Sequence, residues 1–270
     1  MKVVTSQVLQ NAVAENVRQE IVARIAQAEA EHQVKVLYAV ESGSRAWGFA
    51  STNSDYDVRF IYAHEADWYL SMDVEDQRDV IEYPIVDEID INGWDVRKAL
   101  RLFRKSNPAM VEWLSSALIY ADDGVFAREL RPLLKTSYSL NKGIFHYLNM
   151  ARTNYRGYLK SQEVRVKKYF YVLRPLLAIR WLLKYQSVAP IEFEKLLTLL
   201  DEADVREQVE RLLVLKRNGQ ELDSGPQIVL INQFIEQELN RYETLKPLPN
   251  DSMADSATLN RVFRCVLNSL

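Results

Sequence analysis

Residues 34 to 62 constrain this chain more than any other stretch. Val34 to Ser42 is a run of β-formers, apolar at nearly every position, as a central strand needs when both its faces are covered. Gly43-Ser44-Arg45-Ala46-Trp47-Gly48 then reads as a tight glycine turn with a short helix. The chain returns through Ser51-Thr52-Asn53-Ser54 into a second strand, Asp55-Tyr56-Asp57-Val58-Arg59-Phe60-Ile61-Tyr62. Side chains alternate along a strand, so Asp55 and Asp57 project from one face and Tyr56 from the other. Two carboxylates held side by side repel and shift each other's titration. A hard divalent cation removes that conflict, and carboxylate oxygens are what Mg²⁺ prefers. Gly43 permits a backbone conformation or a close approach that a Cβ forbids. A turn at Gly43-Ser44 aims N–H groups and a hydroxyl at phosphate oxygens. The arrangement suits metal-assisted transfer from a triphosphate.

Gly43-Ser44, about ten residues, then Asp55-Tyr56-Asp57 on a strand resembles the signature of the DNA polymerase β-like nucleotidyltransferase superfamily. The longer strings Arg45-Ala46-Trp47-Gly48 and Ser54-Asp55-Tyr56-Asp57-Val58-Arg59-Phe60 resemble one branch, the RlaP-like predicted nucleotidyltransferases associated with RNA repair. The likeness runs through Ile119-Tyr120 and resumes at Lys167-Lys168-Tyr169-Phe170-Tyr171-Val172-Leu173-Arg174-Pro175. It implies an α+β protein with two domains. Residues 1–122 would form a nucleotidyltransferase domain, a mixed sheet flanked by helices, and 123–270 an all-helical domain.

The resemblance also implies roles. Asp55, Asp57 and a third acid would hold Mg²⁺ or Mn²⁺ in a two-metal site, with ions about 3.5–4 Å apart. Asp90, alone between Ile89 and Ile91 on a predicted strand, matches the third position; Asp87 and Asp95 compete. Asp95 precedes Val96-Arg97-Lys98-Ala99-Leu100, where an acid is adequately explained as a helix cap. Gly43 and Ser44 would cradle the β- and γ-phosphates. Arg45 and Arg59 are candidates for phosphate, with ion pairing to the acids as the alternative for Arg59. Trp47 and Phe49 read as core rather than as base-stacking groups.

From the second domain, Lys167, Lys168, Tyr171 and Arg174 are expected at the triphosphate or acceptor. Lys167, Tyr171 and Arg174 share a helix face at i, i+4 and i+7, and Pro175 removes a backbone donor there. Asn141 to Tyr185 carries ten basic residues and one acid, Glu163, in a chain whose net charge is −3. A strongly positive segment in an acidic protein points to a local anionic partner. With the resemblance, it tilts the acceptor toward an RNA 3′ end, with Tyr147, Tyr155 and Tyr158 as possible linings of an RNA path. A protein side chain or a small molecule as acceptor, and a non-catalytic nucleotide- or RNA-binding module, are the alternatives.

The single cysteine, Cys265, excludes an intrachain disulfide and a cysteine-cluster zinc site. Three histidines without spacing, His32, His64 and His146, argue against a histidine metal site. No long apolar run or signal peptide is evident, so a cytoplasmic location is expected. The NTP base, a protein partner and the oligomeric state have no sequence signal.

Further along, one helix is expected over Ser6–Ala30, strands over Val80–Tyr83 and Ile85–Asn92, and a helix opened by Pro108. A last short strand is expected at Ala117–Tyr120, a turn at Asp122-Asp123-Gly124, and helices to the end of the chain. These last include Val125–Lys135, Val164–Tyr185 and Ala203–Lys216, with loops at Asn218-Gly219, Gly225-Pro226 and Lys246–Asp251.

Overall fold

The computed structural model describes residues 2–4, 6–51, 53–218, 224–249 and 251–270. Thr52 of the signature turn, Gly219 of the Asn218-Gly219 loop and Asn250 of the Lys246–Asp251 loop lie outside the described residues.

The apolar run becomes β1 (Lys35–Glu41), the glycine turn carries the short helix α3 (Gly43–Ala46), and the acidic strand becomes β2 (Tyr56–Ala63). With β3 (Val80–Glu82), β4 (Ile89–Asp95) and β5 (Ile119–Asp122) they form one mixed sheet, in the order β3-β4-β2-β1-β5. Only β2 and β4 run parallel; the other neighbours are antiparallel. The strand expected from Ile85 begins only at Ile89, because Asp87 and Glu88 both take positive φ and turn the chain tightly.

Both faces of the sheet are covered, as the continuous apolar run of β1 demands. On one side lie α1 (Gln7–Ala12) and α2 (Glu15–His32), burying Leu9, Ile21 and Ile25 with Val36, Phe60 and Tyr120. A single helix over Ser6–Ala30 is therefore corrected to two. Val13 is extended, and its buried side chain is turned into the core.

The other face packs on α4 (Val96–Arg104), α5 (Pro108–Ser115) and α6 (Phe126–Leu130). Asp95 caps α4 by accepting the Arg97 N–H at 2.7 Å, and Pro108 opens α5 after the Asn107 cap. The helix expected over Val125–Lys135 is two short pieces, α6 and α7 (Leu133–Thr136), broken at Pro132.

A second large core is helical. It is built on α8 (Leu140–Tyr158) and α9 (Lys168–Tyr185), with α10 (Phe193–Leu197), α11 (Ala203–Arg217) and α12 (Val229–Glu243) around them. Before α9, Glu163–Arg165 is β6, a short strand paired with β7 (Ser224–Pro226), so the helix expected from Val164 starts four residues later.

Two features bind the cores together. Phe49, from the signature turn, is buried in the helical core, stacked on Phe170 at 5.0 Å with the edge of Phe193 at 5.6 Å. At the other end of the chain α13 (Ser256–Leu267) returns to the sheet side, burying Leu259, Val262 and Val266 beside α4 and α6.

Candidate active site

The parallel pairing of β2 with β4 places Asp57 opposite Asp90, in a register running from Tyr56↔Ile89 to Tyr62↔Asp95. Ile89 and Ile91 are buried while Asp90 is half-buried, so the alternation turns the acid out of the apolar layer. Asp55 sits exposed just before β2 begins. The three predicted acids thus gather at one end of two neighbouring strands. Asp87 pairs with Arg24 at 2.8 Å and Asp95 is spent on its cap and on the Tyr69 hydroxyl, so neither joins them.

Gly43 closes over Asp57. Its φ is +57°, and an ideal Cβ there would lie 1.8 Å from Asp57 Oδ2. Glycine is therefore required twice, for the left-handed backbone and for the close approach. Ser44 follows, half-exposed.

Burial pushes the Asp57 carboxyl up. The Arg59 guanidinium opposes that shift, and the Asp90 and Asp55 charges add to it. Arg59 bridges the acids, 3.2 Å from Asp57 Oδ1 and 2.7 Å from Asp90 Oδ2, and also donates to the Asp90 carbonyl at 2.7 Å. Its role here is the ion pair. Among the described residues no trio of acid, imidazole or thiol side chains stands ready as a metal cage. The donor chemistry nevertheless fits a hard cation: carboxylate oxygens in mutual conflict, a partly buried setting, and a cradle that a Cβ would fill.

The predicted cations divide. Lys167 stands exposed just before α9, and Lys168 places its ammonium 4.5 Å from the Tyr158 ring centroid and 4.3 Å from that of Tyr171. The Tyr171 hydroxyl is pushed up by burial and then by the charges of Asp57 and Asp55, which places this helix end across from the acids.

The structure does not bring Arg174 there. Its side chain is 3 % exposed, paired with Glu112 at 2.8 Å and lying over the Trp47 ring at 4.3 Å. Arg45 is occupied too: it donates to the Ser54 carbonyl at 2.6 Å and covers the Tyr56 ring at 3.8 Å. Both hold the signature turn from behind. Trp47 joins this packing, with its ring edge-on to Tyr171 and its indole N–H donating to Glu112 at 3.3 Å. Tyr147 and Tyr155 are core residues rather than path linings, while Tyr158 is exposed beside Lys168.

Two contributors escaped the sequence reading. Glu41, fully buried at the end of β1, accepts the Asp57 backbone N–H at 3.0 Å and the Tyr120 hydroxyl at 2.6 Å. Burial raises its carboxyl to about 7. A charged residue closing a buried strand was the available signal, since buried charges need partners. Lys216, on α11, donates to Ser51 Oγ at 3.2 Å and Ser54 Oγ at 3.4 Å. It sits on an ordinary amphipathic helix, and nothing local marks it. A cavity of about 710 Å³ lined by Arg131, Lys135, Tyr138, Gln186 and Lys195 lies at the far end of α9, away from the acids.

The family described as "RlaP: RNA repair pathway DNA polymerase beta family" matches residues 17–265, and the chain belongs to that family of polymerase β-like nucleotidyltransferases. Among its relatives is an uncharacterized protein of Bacillus subtilis (strain 168), YcgL. It is 47 % identical over 248 residues, which span 91 % of this chain and 95 % of YcgL. A nucleotidyltransferase-like protein from Exiguobacterium sibiricum 255-15, solved by crystallography, overlaps 93 % of this chain and 89 % of its own at 13 % identity and a TM-score of 0.33. No helix among the described residues is long and apolar enough to cross a membrane.

Proposed function

We propose that this protein transfers a nucleoside monophosphate from an NTP to a hydroxyl acceptor, an RNA 3′ end, releasing pyrophosphate with the help of Mg²⁺ or Mn²⁺. The observation that carries the reading is the register that sets Asp57 beside Asp90, with Asp55 at the strand entrance and Gly43 cleared to the van der Waals limit above them. Asp55, Asp57 and Asp90 would hold the metal, which supplies charge neutralisation for the phosphates and for the acceptor oxygen. Gly43 and Ser44 would take phosphate oxygens, and Lys167, Lys168 and Tyr171 would face the substrate from the helical side. Arg59 serves as counter-ion to Asp57 and Asp90 until they bind metal. Arg45 and Arg174 brace the turn. Glu41 fixes the backbone of Asp57 from below.

RNA is favoured as acceptor by the family description, whose words are RNA repair. Lys168 over the exposed Tyr158 ring, with exposed Arg165 and Lys167 next to it in the chain, supplies cations with an aromatic face, the combination that holds single strands.

The test is incorporation of each NTP, radiolabelled at the α-phosphate, with Mg²⁺ or Mn²⁺ and bulk tRNA. The Asp55→Ala/Asp57→Ala variant runs beside the wild type. Label entering RNA with the wild type alone is the expected outcome. Label entering protein instead would replace the acceptor, and NTP binding without any transfer would replace catalysis with a binding role.

A further inference from the structure

A second charge conflict faces the acids. Burial pushes the Lys216 ammonium down, Lys167 and Arg45 add to that, and only Asp55 works the other way. Lys168 is lowered in the same sense, by burial and then by Lys167 and Arg165. Among the described residues no carboxylate lies within ion-pair distance of Lys167, Lys168 or Lys216. Several other cations of the helical half are neutralised: Arg180 by Glu202 and Glu238, Lys195 by Glu192, and Arg217 by Glu194. Cations gathered without an anion repel one another and lose hydration, a cost that a polyanion removes.

Lys216 is also aimed. Arg217, its neighbour, donates to the Gly48 carbonyl at 2.8 Å and docks the end of α11 on the signature turn. Lys216 then reaches the buried hydroxyls of Ser51 and Ser54, which are bonded to each other at 3.1 Å. Its contacts to them are long for an ammonium, and phosphate oxygens are stronger acceptors than hydroxyls. Ser54 immediately precedes Asp55, so the Lys216 ammonium stands beside the acidic strand entrance and feels the Asp55 charge, where a substrate held by the acids at its reacting phosphate would bring the rest of its phosphate chain.

We propose that Lys216, together with Lys167, binds the terminal phosphates of the triphosphate, the part that departs as pyrophosphate. This rests on the nucleotidyltransferase reading above and adds to it a residue from α11. The ligand chemistry is a linear polyphosphate; the base and sugar play no part at this end.

The experiment measures binding of inorganic tripolyphosphate, of ATP and of AMP to the full chain by calorimetry in Mg²⁺. Wild type, Lys216→Gln and Lys216→Arg are compared, and a thermal melt checks the fold of each. Glutamine keeps a donor for the serines and removes the charge. The expected result is at least about tenfold weaker binding of tripolyphosphate and ATP by Lys216→Gln, the range for losing a charged hydrogen bond. Lys216→Arg should recover most of it, AMP binding should not change, and the KM for NTP should rise more than kcat falls. Unchanged tripolyphosphate affinity in Lys216→Gln, with the wild type binding well, overturns this inference and leaves the function standing. A wild type that binds neither ATP nor tripolyphosphate overturns both.

Discussion

Gly43→Ala isolates the geometry of the proposed metal site from the stability of the fold. The added Cβ would meet Asp57 Oδ2 at 1.8 Å and Cγ at 2.6 Å. Carbon contacts settle near 3.5 Å, so the carboxylate must retreat by roughly 1.5 Å. A misplacement of about 1 Å at reacting groups costs on the order of 10²-fold in rate, so kcat should fall at least that far. The backbone adds its own penalty, since φ of +57° with a Cβ costs about 1–2 kcal/mol. In a chain of this size that lowers Tm by a few degrees. Gly124→Ala is the control: its φ is +80°, and nothing lies within 4 Å of its ideal Cβ. It should lose a similar few degrees and keep its activity. Label incorporation and thermal melting, run on both variants, check the pair. Gly43→Ala transferring label within about threefold of wild type would refute the reasoning, because the close approach would then carry no function.

The buried Arg174–Glu112 pair makes a stability prediction. Arg174→Met leaves the buried Glu112 carboxylate without its counter-ion and should cost about 3–5 kcal/mol in urea unfolding, while adding Glu112→Gln should recover part of it. Arg59→Gln leaves Asp57 and Asp90 facing each other without a counter-ion. The rise in Tm on adding Mn²⁺ should therefore be larger than in wild type, as thermal melts against metal concentration will read. His64 is stacked on Trp68 at 3.9 Å, and burial lowers its imidazole. A histidine lowered in the fold binds its proton more readily when unfolded. Its contribution is thus intact above the unfolded value near 6.5 and is lost as pH falls. Tm should decline from pH 7 to pH 5 less steeply in His64→Gln than in wild type.

The short-range grammar of the chain was decisive for the acidic strand. A period of two placed Asp57 and Asp90 on outward positions, and local chemistry announced the Asp95 cap, the Pro108 helix start and the glycine turn. Such signals act over a few residues, where backbone geometry leaves few alternatives. Local pattern misjudged the break at Val13, where burial of one side chain outweighed an unbroken helical period. The fates of the arginines were settled only by tertiary packing. Arg45, Arg59 and Arg174 have the residue type for phosphate binding, yet each guanidinium ends on a carbonyl, a ring or an acid brought from elsewhere. Lys216 reaches Ser51 across 165 residues of chain, and Phe49 leaves its own sheet for the helical core. These placements depend on many weak contacts made at once, and for Arg174, Lys216 and Phe49 no short stretch of sequence contains both partners. The amino-acid order by itself determined which residues could do chemistry; the packing of sheet on helices decided which of them meet.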